Sequence, residues 1–557
     1  MRLGLFASVA VAGFVIGVAE PSRSADETVI DQLALSMICG DEAASSGGSR
    51  PVIETPPKML PGFGNGGFTI STTSPEAQRW FSYGIQLAQA FAHDPAKAAF
   101  KEAARLDPTC AMCVWGQAMA EGPTINYGID AEQRTRAGLL AIKAQQLGAG
   151  GTDKERRLMA AMARRYLRSG GDTAYAADMV RIAATWPDDD ALQVLAAEAL
   201  MDTGKKPRVR EANAILETVL TRTPDHVGAI HFYIHSTEWI DMGYKAEPFA
   251  DKLGLLAPGA SHLIHMPSHT YYRVGRYRDA GRVNVAAIGV DKAWMKSVGW
   301  TDPMWKIGYF GHNVRFALGG AMMAGDGEAA LTIADLYAGM PIDQLEASPW
   351  AQSNAASAWF ARGRFTDPDK VLAMAAPSDR IPLVRAMWRY ARGEALARKG
   401  DARGVLVEAE AVALTPKEMA AFKGGGGTAE AMLLIARETL IGRAAMLDGR
   451  YAAAAVAFRK AAARQLKAFG DGGDPPTWWY PVRRGVAAAL LAGGKPAEAL
   501  VEANAVLAKW PKDPMTLVIV SRAQTALGDQ AAAADALAEA RAGWSGAAVE
   551  GVSLNGV

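Results

Sequence analysis

Hydrophobic and small residues recur every three or four positions along most of the chain. From Ser74 onward this helical period dominates, and no convincing run of alternating apolar and polar residues indicates a strand. Gly or Pro separates the periodic stretches, and both residue types end helices. The pattern predicts an all-α protein built from many short helices.

The periodic stretches also repeat one another at an interval of thirty-four residues. The segments LAGGKPAEALVEANAVLAKWP and TALGDQAAAADALAEARAGW align at this offset, which pairs Gly494 with Gly528 and Ala499 with Ala533. A small residue lets two paired helices approach, and an aromatic side chain fills the space between units. The same spacing recurs earlier, at Ala96, Phe100, Ala103 and Pro108, at Gly275 and Ala280, and at Gly449, Ala454, Phe458 and Ala461.

Over roughly residues 74–545 the chain resembles the tetratricopeptide-repeat superfamily, whose unit is a helix–turn–helix of thirty-four residues. The spacing is specific at several units and degenerate over 125–205 and 365–430. The resemblance implies a right-handed α-α superhelix, a solenoid of helical hairpins. It also implies that the first helix of each unit lines a concave groove.

Three segments resemble, more narrowly, a bacterial family of exported repeat proteins. They are SPEAQRWFSYGIQLAQAFAHDPAKAAFKEAARLDPTCAMCVWGQAMAEGPTINYG, HFYIHSTE and HLIHMPSHTYYRVGRY. The resemblance implies a shared site around the histidines of the last two segments, without a defined reaction. The chain departs from this family at GFGNGGF, where relatives often carry histidines, so ligands from that arm are absent.

The composition and the absence of known motifs argue against several function classes. The 557 residues are half hydrophobic, and the formal charge of +1 argues against a nucleic-acid surface, which needs a basic excess or stripe. The sequence contains no P-loop, dinucleotide-binding fingerprint, serine elbow or H-E-x-x-H motif. Nucleotide enzymes, serine-elbow hydrolases and zincin proteases are therefore disfavoured.

The N-terminus predicts a secretory signal peptide. Arg2 precedes an apolar run from Leu3 to Ala19, and small and polar residues follow, so cleavage is expected after Ala19 or Ala25. A retained membrane anchor is the alternative, but the run is short for a spanning helix. We expect a periplasmic or secreted protein with no stable membrane insertion after cleavage.

These patterns divide the chain into five parts. The segment 26–73 is rich in Gly, Pro, Ser and Thr, as is typical of a linker or an irregular arm. The predicted parts are a signal peptide (1–25), an irregular N-terminal arm (26–73), an N-terminal array with a histidine cluster (74–345), a C-terminal array (346–545) and a flexible tail (546–557).

Histidine is rare and clustered. Six of the eight histidines lie between His226 and His269. The pair His231 and His235 is repeated, thirty-four residues later, by His265 and His269. Because equivalent positions of stacked repeats face the same way, these four imidazoles are expected to line one patch.

One helix cannot complete a metal site from these residues. His231 and His235 are one turn apart, about 6 Å along the axis, and both can bind one ion, but Glu238 lies about two turns from His231. Neighbouring helices pack at about 8–10 Å and can supply further donors. We therefore expect His231 and His235 to face His265 and His269, with a fifth ligand or outer partner drawn from Glu238, His262 and His312.

Two residues are assigned roles in case the ion is catalytic. Counting back from Gly325 places His312 and Arg315 on the groove face, one repeat further along. Glu238 would then serve as a base or as an outer partner of the ligands, and Arg315 would orient an anionic small-molecule substrate.

Pro267, between His265 and His269, leaves two local structures open. Inside a helix it removes a backbone hydrogen bond and produces a kink, which could turn His269 towards the partner helix. Alternatively, it starts a short helix at the end of a loop.

The donor type narrows the metal without identifying it. Neutral imidazoles suit copper, zinc, nickel or iron(II), whereas calcium and magnesium prefer oxygen. Two alternatives remain open: a metal-free scaffold whose groove binds a peptide or protein partner of the cell envelope, and histidines that only pack. Whether the protein is an enzyme is left open as well.

Cysteine offers a weaker signal. Cys110 and Cys113 form C-x-x-C at the start of a predicted helix, and Cys39 is the third cysteine. A metal pair, a redox dithiol, a local disulfide and structural thiols are all consistent with this spacing.

Overall fold

The computed structural model describes residues 58–167, 170–420, 422, 426–470, 475 and 477–556. The predicted signal peptide, Cys39 and residues 26–57 of the predicted arm lie outside the described residues. Within the described residues the regular structure is α-helix with a few short 3-10 turns, and no strand occurs. The all-α prediction is confirmed.

Helices follow one another in the order expected of stacked hairpins, and most of them pack against the next along the chain. Several stretches whose repeat spacing is degenerate, such as residues 131–166, are helical too. The helices before the histidine-rich segment are α1 (Pro75–Gln89), α2 (His93–Leu106), α3 (Ala111–Glu121), α4 (Ala131–Leu147), α5 (Asp153–Tyr166), α6 (Asp172–Thr185), α7 (Asp190–Met201) and α8 (Lys206–Arg222).

The histidine-rich segment forms the middle of the array. Its helices are α9 (Val227–Trp239), α10 (Glu247–Leu256), α11 (Ser261–His265), α12 (Pro267–Val274), α13 (Tyr277–Val298), α14 (Phe310–Met323) and α15 (Gly327–Leu336). Met266, between α11 and α12, keeps right-handed helical dihedrals. Pro267 is thus the first residue of a short helix that continues almost directly from another.

The remaining helices continue the array to the C-terminus. They are α16 (Ile342–Ala347), α17 (Pro349–Phe365), α18 (Pro368–Ala373), α19 (Pro382–Arg398), α20 (Ala402–Ala411), α21 (Pro416–Ala420), α22 (Gly426–Leu447), α23 (Tyr451–Phe469), α24 (Arg483–Ala492), α25 (Pro496–Leu507), α26 (Pro514–Leu527) and α27 (Gln530–Gly543). The paired glycines Gly494 and Gly528 both have left-handed backbones, with φ of 74° and 91°, at the turns before α25 and α27. A solenoid of helical hairpins is therefore confirmed.

The packing logic of the repeats is visible at Phe100. Its ring is completely buried between two glycines of neighbouring helices, Gly84 of α1 and Gly116 of α3. A Cβ atom at Gly84 would lie 2.6 Å from the ring, and one at Gly116 would lie 2.3 Å away. The small residues are thus what allows the aromatic ring to fill the space between units.

Burial is continuous along the array. One core of buried side chains extends from Ile70 to Trp510, without a break at residue 345, and a smaller cluster lies between Ala487 and Val549. Residues 546–556, expected to be a flexible tail, lie against the C-terminal helices. Arg522 donates hydrogen bonds to the carbonyl oxygens of Glu550 and Val552, at 2.8 and 2.7 Å.

The array also folds back on itself. The Tyr277 hydroxyl donates to the carbonyl oxygen of Pro511 at 3.0 Å, and Arg278 Nε donates to Ser545 Oγ at 2.7 Å. The C-terminal helices therefore rest on the middle of the chain, next to the histidine-rich helices.

The arm residues 58–73 contain no helix and run across the starts of α9 and α11. Gly259 donates its backbone N–H to the Gly62 carbonyl at 2.8 Å. Asn65 bridges the approach to α9, since its Nδ2 donates to the Asp225 carbonyl and its Oδ1 accepts from the Val227 backbone N–H. The arm thereby holds the first turns of two histidine-bearing helices.

Two remaining sequence features are placed as follows. Cys110 and Cys113 are joined by a disulfide at the start of α3, one of the alternatives left open above. In the part of the chain that the structure describes, no helix combines the length and apolar character needed to cross a membrane.

Candidate metal centre

Six histidines from four helices meet inside the array. The helix α9 carries two of them, α11 two, α12 one and α14 one. All six side chains are buried, with exposures between 0% and 6%. The six are His231, His235, His262, His265, His269 and His312.

The six rings divide into two groups of three. In each group one nitrogen per ring lies within 4.8 Å of the nitrogens of the other two. We name the groups the first triad (His231, His235 and His262) and the second triad (His265, His269 and His312). The triads adjoin each other, since the ring centroids of His262 and His265 are 5.6 Å apart and those of His235 and His269 are 5.7 Å apart.

This division differs from the expected one. Both predicted pairs are present, and His262 and His312 join them, but the pairs do not face each other around one ion. His262 instead completes the set of α9, and His312 of α14 completes the other. The reason is tertiary: the direct continuation of α11 into α12 puts His265 and His269 on the side that meets α14.

In the second triad, both histidines of the duplicated pair are held by their Nδ1 atoms. His265 Nδ1 lies 2.6 Å from Asn284 Oδ1, and Asn284 Nδ2 donates to the Ala280 carbonyl at 2.8 Å, which orients the amide. His269 Nδ1 lies 3.1 Å from a carboxylate oxygen of Glu238. Amide and carboxylate oxygens accept hydrogen bonds, so both Nδ1 atoms carry the proton.

The protons on Nδ1 determine what the other nitrogens can do. His265 Nε2 and His269 Nε2 face each other at 3.0 Å, and each presents a lone pair. Two lone pairs at this distance repel unless a cation lies between them. Ligand nitrogens about 2.0–2.1 Å from one ion are separated by about 3.3–3.6 Å, which is close to the observed spacing.

The first triad has a similar contact. His231 Nδ1 donates to the Gln89 carbonyl at 2.6 Å, which leaves a lone pair on Nε2. That Nε2 lies 3.1 Å from His262 Nε2. An imidazole that donates its outer N–H to a carbonyl or carboxylate is the usual arrangement of a metal-bound histidine.

His235 completes the first triad and is the most unusual of the six. Its ring is fully buried, and neither of its nitrogens has a hydrogen-bond partner among the described residues. His262 Nδ1 likewise has no hydrogen-bond partner among the described residues. A buried polar atom without a partner costs about 1–3 kcal/mol, so such atoms call for an explanation such as a bound ion or water.

Burial keeps the rings neutral, as metal ligands must be. Removal from water lowers the pKa of His231 to about 3 and lowers the pKa of His265 well below 6.5. The same cause lowers the pKa of His235, and the neighbouring imidazoles add to the effect by repelling a positive charge. The lone pairs are therefore available to an ion at neutral pH.

Aromatic rings enclose the centre. Phe91 packs 4.4 Å from the His231 ring and stacks on His262 at 5.0 Å, and Tyr309 lies 4.4 Å from His262. Phe316 packs 4.6 Å from His265. The histidines were expected to line the concave groove; in the structure these rings bury them within the array.

Two of the enclosing residues have strained backbones. Phe91 has φ of 55° and Tyr309 has φ of 65°, in the left-handed region that bulky side chains rarely adopt. Such conformations cost about 1–3 kcal/mol and tend to persist at functional sites. The fold therefore tolerates a local cost at two residues that contact the first triad.

The two residues assigned possible catalytic roles occupy different surroundings. Glu238 accepts from His269 and lies 3.4 Å from Arg273 Nη2, which fits the outer-partner role better than that of a free base. Arg315 donates to the Pro475 carbonyl and to Thr477 Oγ1, at 2.9 and 3.0 Å. Its orientation of an anionic substrate stays a prediction.

Sequence reasoning did not find the residues that anchor and enclose the rings. Gln89 and Asn284 act through a carbonyl and an amide that carry no motif. Phe91 did offer a signal, because it follows α1 at the turn position that Gly275 and Gly528 occupy in other hairpins. An aromatic residue in place of a turn glycine indicates that its side chain is needed.

No family model matches this chain, and no curated protein matches it. Solved structures do show a distant likeness. The human IFIT1 dimer with m7Gppp-AAAA is 11% identical, with 78% of this chain and 90% of that chain covered at a TM-score of 0.33. The APC/C hetero-tetramer Cut9–Hcn1 is 14% identical, with coverages of 82% and 78% and a TM-score of 0.27.

A third structure, of the P58(IPK) TPR domain, is 13% identical, with coverages of 84% and 92% and a TM-score of 0.21. Overlays at such scores and identities are too loose to carry a statement about function. The solenoid assignment rests on the successive helical hairpins of the chain itself.

Proposed function

We propose that this chain is an exported helical solenoid that binds a transition metal through its buried histidines. The observation that carries the proposal is the contact between His265 Nε2 and His269 Nε2, 3.0 Å apart, while both Nδ1 atoms donate elsewhere. A bound cation removes the repulsion between these lone pairs. Packing alone offers no reason to orient two imidazoles in this way.

The donor atoms support copper, zinc, nickel or iron(II) over calcium and magnesium, which prefer oxygen ligands. The enclosure by aromatic rings bears on the role of the metal. A catalytic ion keeps an open position for water or substrate, and the buried rings favour a held ion over an openly accessible one. The proposal is therefore metal binding, without an assigned reaction.

The test is metal analysis of the full-length protein purified from its own exported compartment. The double variant His265→Ala/His269→Ala is expected to lose at least half of the bound metal, because it removes two of the three donors of the second triad. The matched control is His226→Asn. His226 is also buried but lies outside both triads, and its Nδ1 caps α9 by accepting from the Ala229 backbone N–H.

Asn caps helices well, so the control should retain both its fold and its metal. Undiminished metal in the double variant refutes the ligand roles. If the wild-type protein binds no transition metal even when supplied with copper, zinc or iron, the metal-free scaffold is the better description. Binding of a peptide or envelope partner would then be insensitive to chelation.

A further inference from the structure

We infer that the centre holds two copper(I) ions, one in each triad; this inference rests on the metal-binding function proposed above. It adds the number of ions, their identity and their charge. Each of these follows from a different feature of the six rings.

The number follows from how the ring nitrogens are grouped. Nitrogens that share one ion lie within about 4 Å of one another, given metal–nitrogen bonds of about 2.0–2.1 Å. Two separate sets of three approach this condition, and no set in the described residues draws nitrogens from both triads. Each triad also has its own short Nε2 contact, of 3.1 Å in the first and 3.0 Å in the second.

Each triad also has its own anchoring, which makes it a complete site. The Gln89 carbonyl holds His231 of the first triad, and Asn284 and Glu238 hold His265 and His269 of the second. A single-ion site would need one such set. The duplication of both donors and anchors therefore indicates two ions.

The coordination number argues for copper(I) over zinc. Structural zinc takes four protein ligands, and catalytic zinc takes three with an open position for water. Each triad offers three imidazoles and is closed by the rings of Phe91, Tyr309 and Phe316. Copper(I) is stable with three nitrogen ligands and needs no water.

Charge argues for the same ion. The donor set contains six neutral imidazoles and no anion, so the ions keep their full charge inside a buried site. The cost of burying an ion rises with the square of its charge, and a dication is about four times as expensive as a monocation. Glu238 contacts the second triad from outside, but Arg273 partly balances its charge.

The experiment measures copper(I) and zinc(II) stoichiometry on the full chain under anaerobic conditions, with a chromogenic copper(I) chelator as competitor. Wild type is expected to bind two copper(I) ions per chain, and more tightly than zinc(II). His235→Leu removes a donor from the first triad and His312→Leu one from the second, so each is expected to retain one ion. The double variant retains none, and His226→Asn retains two.

The outcomes distinguish failure of the two-copper(I) inference from failure of the proposed metal-binding function. A single ion per chain that is lost in both single variants overturns the two-ion site but preserves metal binding. Two ions with zinc(II) held more tightly than copper(I) overturn the assignment to copper(I). If neither ion binds, and nickel(II) and iron(II) supplied in the same way do not bind either, the proposed function itself is overturned.

A second measurement does not depend on the variants folding. X-ray absorption at the copper edge of the loaded wild-type protein is expected to show three nitrogen neighbours per copper(I). Four nitrogen ligands, or oxygen in the shell, would contradict the closed three-imidazole site.

Far-UV circular dichroism of the metal-free variants then shows whether a lost ion reflects a lost donor or a lost fold.

Discussion

At the scale of single residues, the chemistry of this centre depends on the atom that accepts a hydrogen bond from the imidazole Nδ1. His265 and His269 are one helical turn apart, and that spacing was readable from the sequence. The tautomers of these two rings could not be read from the sequence, because the acceptors that fix them lie elsewhere: Asn284 is on the next helix and Glu238 is on the preceding unit. Only these contacts turn both Nε2 lone pairs towards the same point.

The Asn284 contact leads to a prediction about affinity. Asn284→Leu removes the acceptor of His265 Nδ1, so the ring is no longer held in the metal-binding tautomer. We expect metal affinity to fall by about 10–100-fold, the usual effect of losing such an outer partner. Competition titration against a chelator of known affinity measures the change.

Asn284→Asp serves as the matched control because it keeps an oxygen acceptor at the same place. It should bind metal at least as tightly as wild type, although it loses the hydrogen bond that Asn284 donates to Ala280. Equal weakening in both variants would mean that Asn284 acts through packing and not through the orientation of His265.

At the scale of helices and hairpins, the same small set of contacts is used repeatedly. Phe458 lies between Gly442 and Gly485 as Phe100 lies between Gly84 and Gly116, with would-be Cβ atoms 2.6 and 2.9 Å from the Phe458 ring. The prediction from spacing, that an aromatic residue fills the gap left by small residues, is therefore confirmed at two distant units.

This packing predicts a large local effect on stability. Phe100→Ala should cost about 3–5 kcal/mol, since it removes a fully buried ring and leaves a cavity between glycines that cannot fill it. Hydrogen exchange of α1–α3 is the appropriate measurement, because a long array need not unfold in a single step.

The control at this scale is Leu139→Ala on α4, where the side chain is 64% exposed. Its effect should stay within about 0.5 kcal/mol, as is usual for surface positions. If Phe100→Ala leaves the exchange of α1–α3 as slow as this control does, the ring does not join the units.

The turn after α1 shows how an element can serve the site instead of its own stability. Phe91 adopts the left-handed conformation that glycine adopts at Gly275, Gly494 and Gly528. Glycine there would relieve the backbone but would leave the first triad without its covering ring. The turn thus carries a strained backbone at Phe91, and in return the Phe91 ring covers the first triad.

At the scale of the whole molecule, the centre is enclosed by parts of the chain that are far apart in sequence. The arm reaches α9 and α11 through Asn65 and Gly62, and residues 475 and 477 cover Arg315 beside the second triad. None of these contacts follows from a repeat period. They come from the folding back of the array.

The continuous core predicts how the whole protein responds to metal removal. Because buried side chains extend from Ile70 to Trp510, the chelated protein should keep its helical content. Metal should raise the melting temperature, since binding to the folded state alone adds about 2.7 kcal/mol at 100 times the dissociation constant. Calorimetry and far-UV circular dichroism, with and without metal, measure both effects.

The triad double variant His235→Leu/His312→Leu is the comparison for this experiment. It should melt at the same temperature whether or not metal is added. A similar metal-induced shift in this variant would assign the stabilisation to binding outside the two triads.

Much of this protein could be predicted from its sequence. The helical period, the interval of thirty-four residues and the turn glycines predicted a solenoid of hairpins, and all six histidines of the centre were selected as candidates. Their grouping was not predicted, because a period specifies which residues share a face of one helix and not how neighbouring helices are rotated. The repeat period also did not identify Phe91, Gln89 or Asn284 as parts of the site.

The amino-acid order alone determined that the chain forms helical hairpins and which imidazoles it supplies, since both depend on local spacing along a helix. Tertiary packing decided which imidazoles share a set, which nitrogen of His231, His265 and His269 carries the proton, and that the rings are closed off from water. These properties belong to pairs of atoms from different helices, and such pairs exist only once the helices have packed.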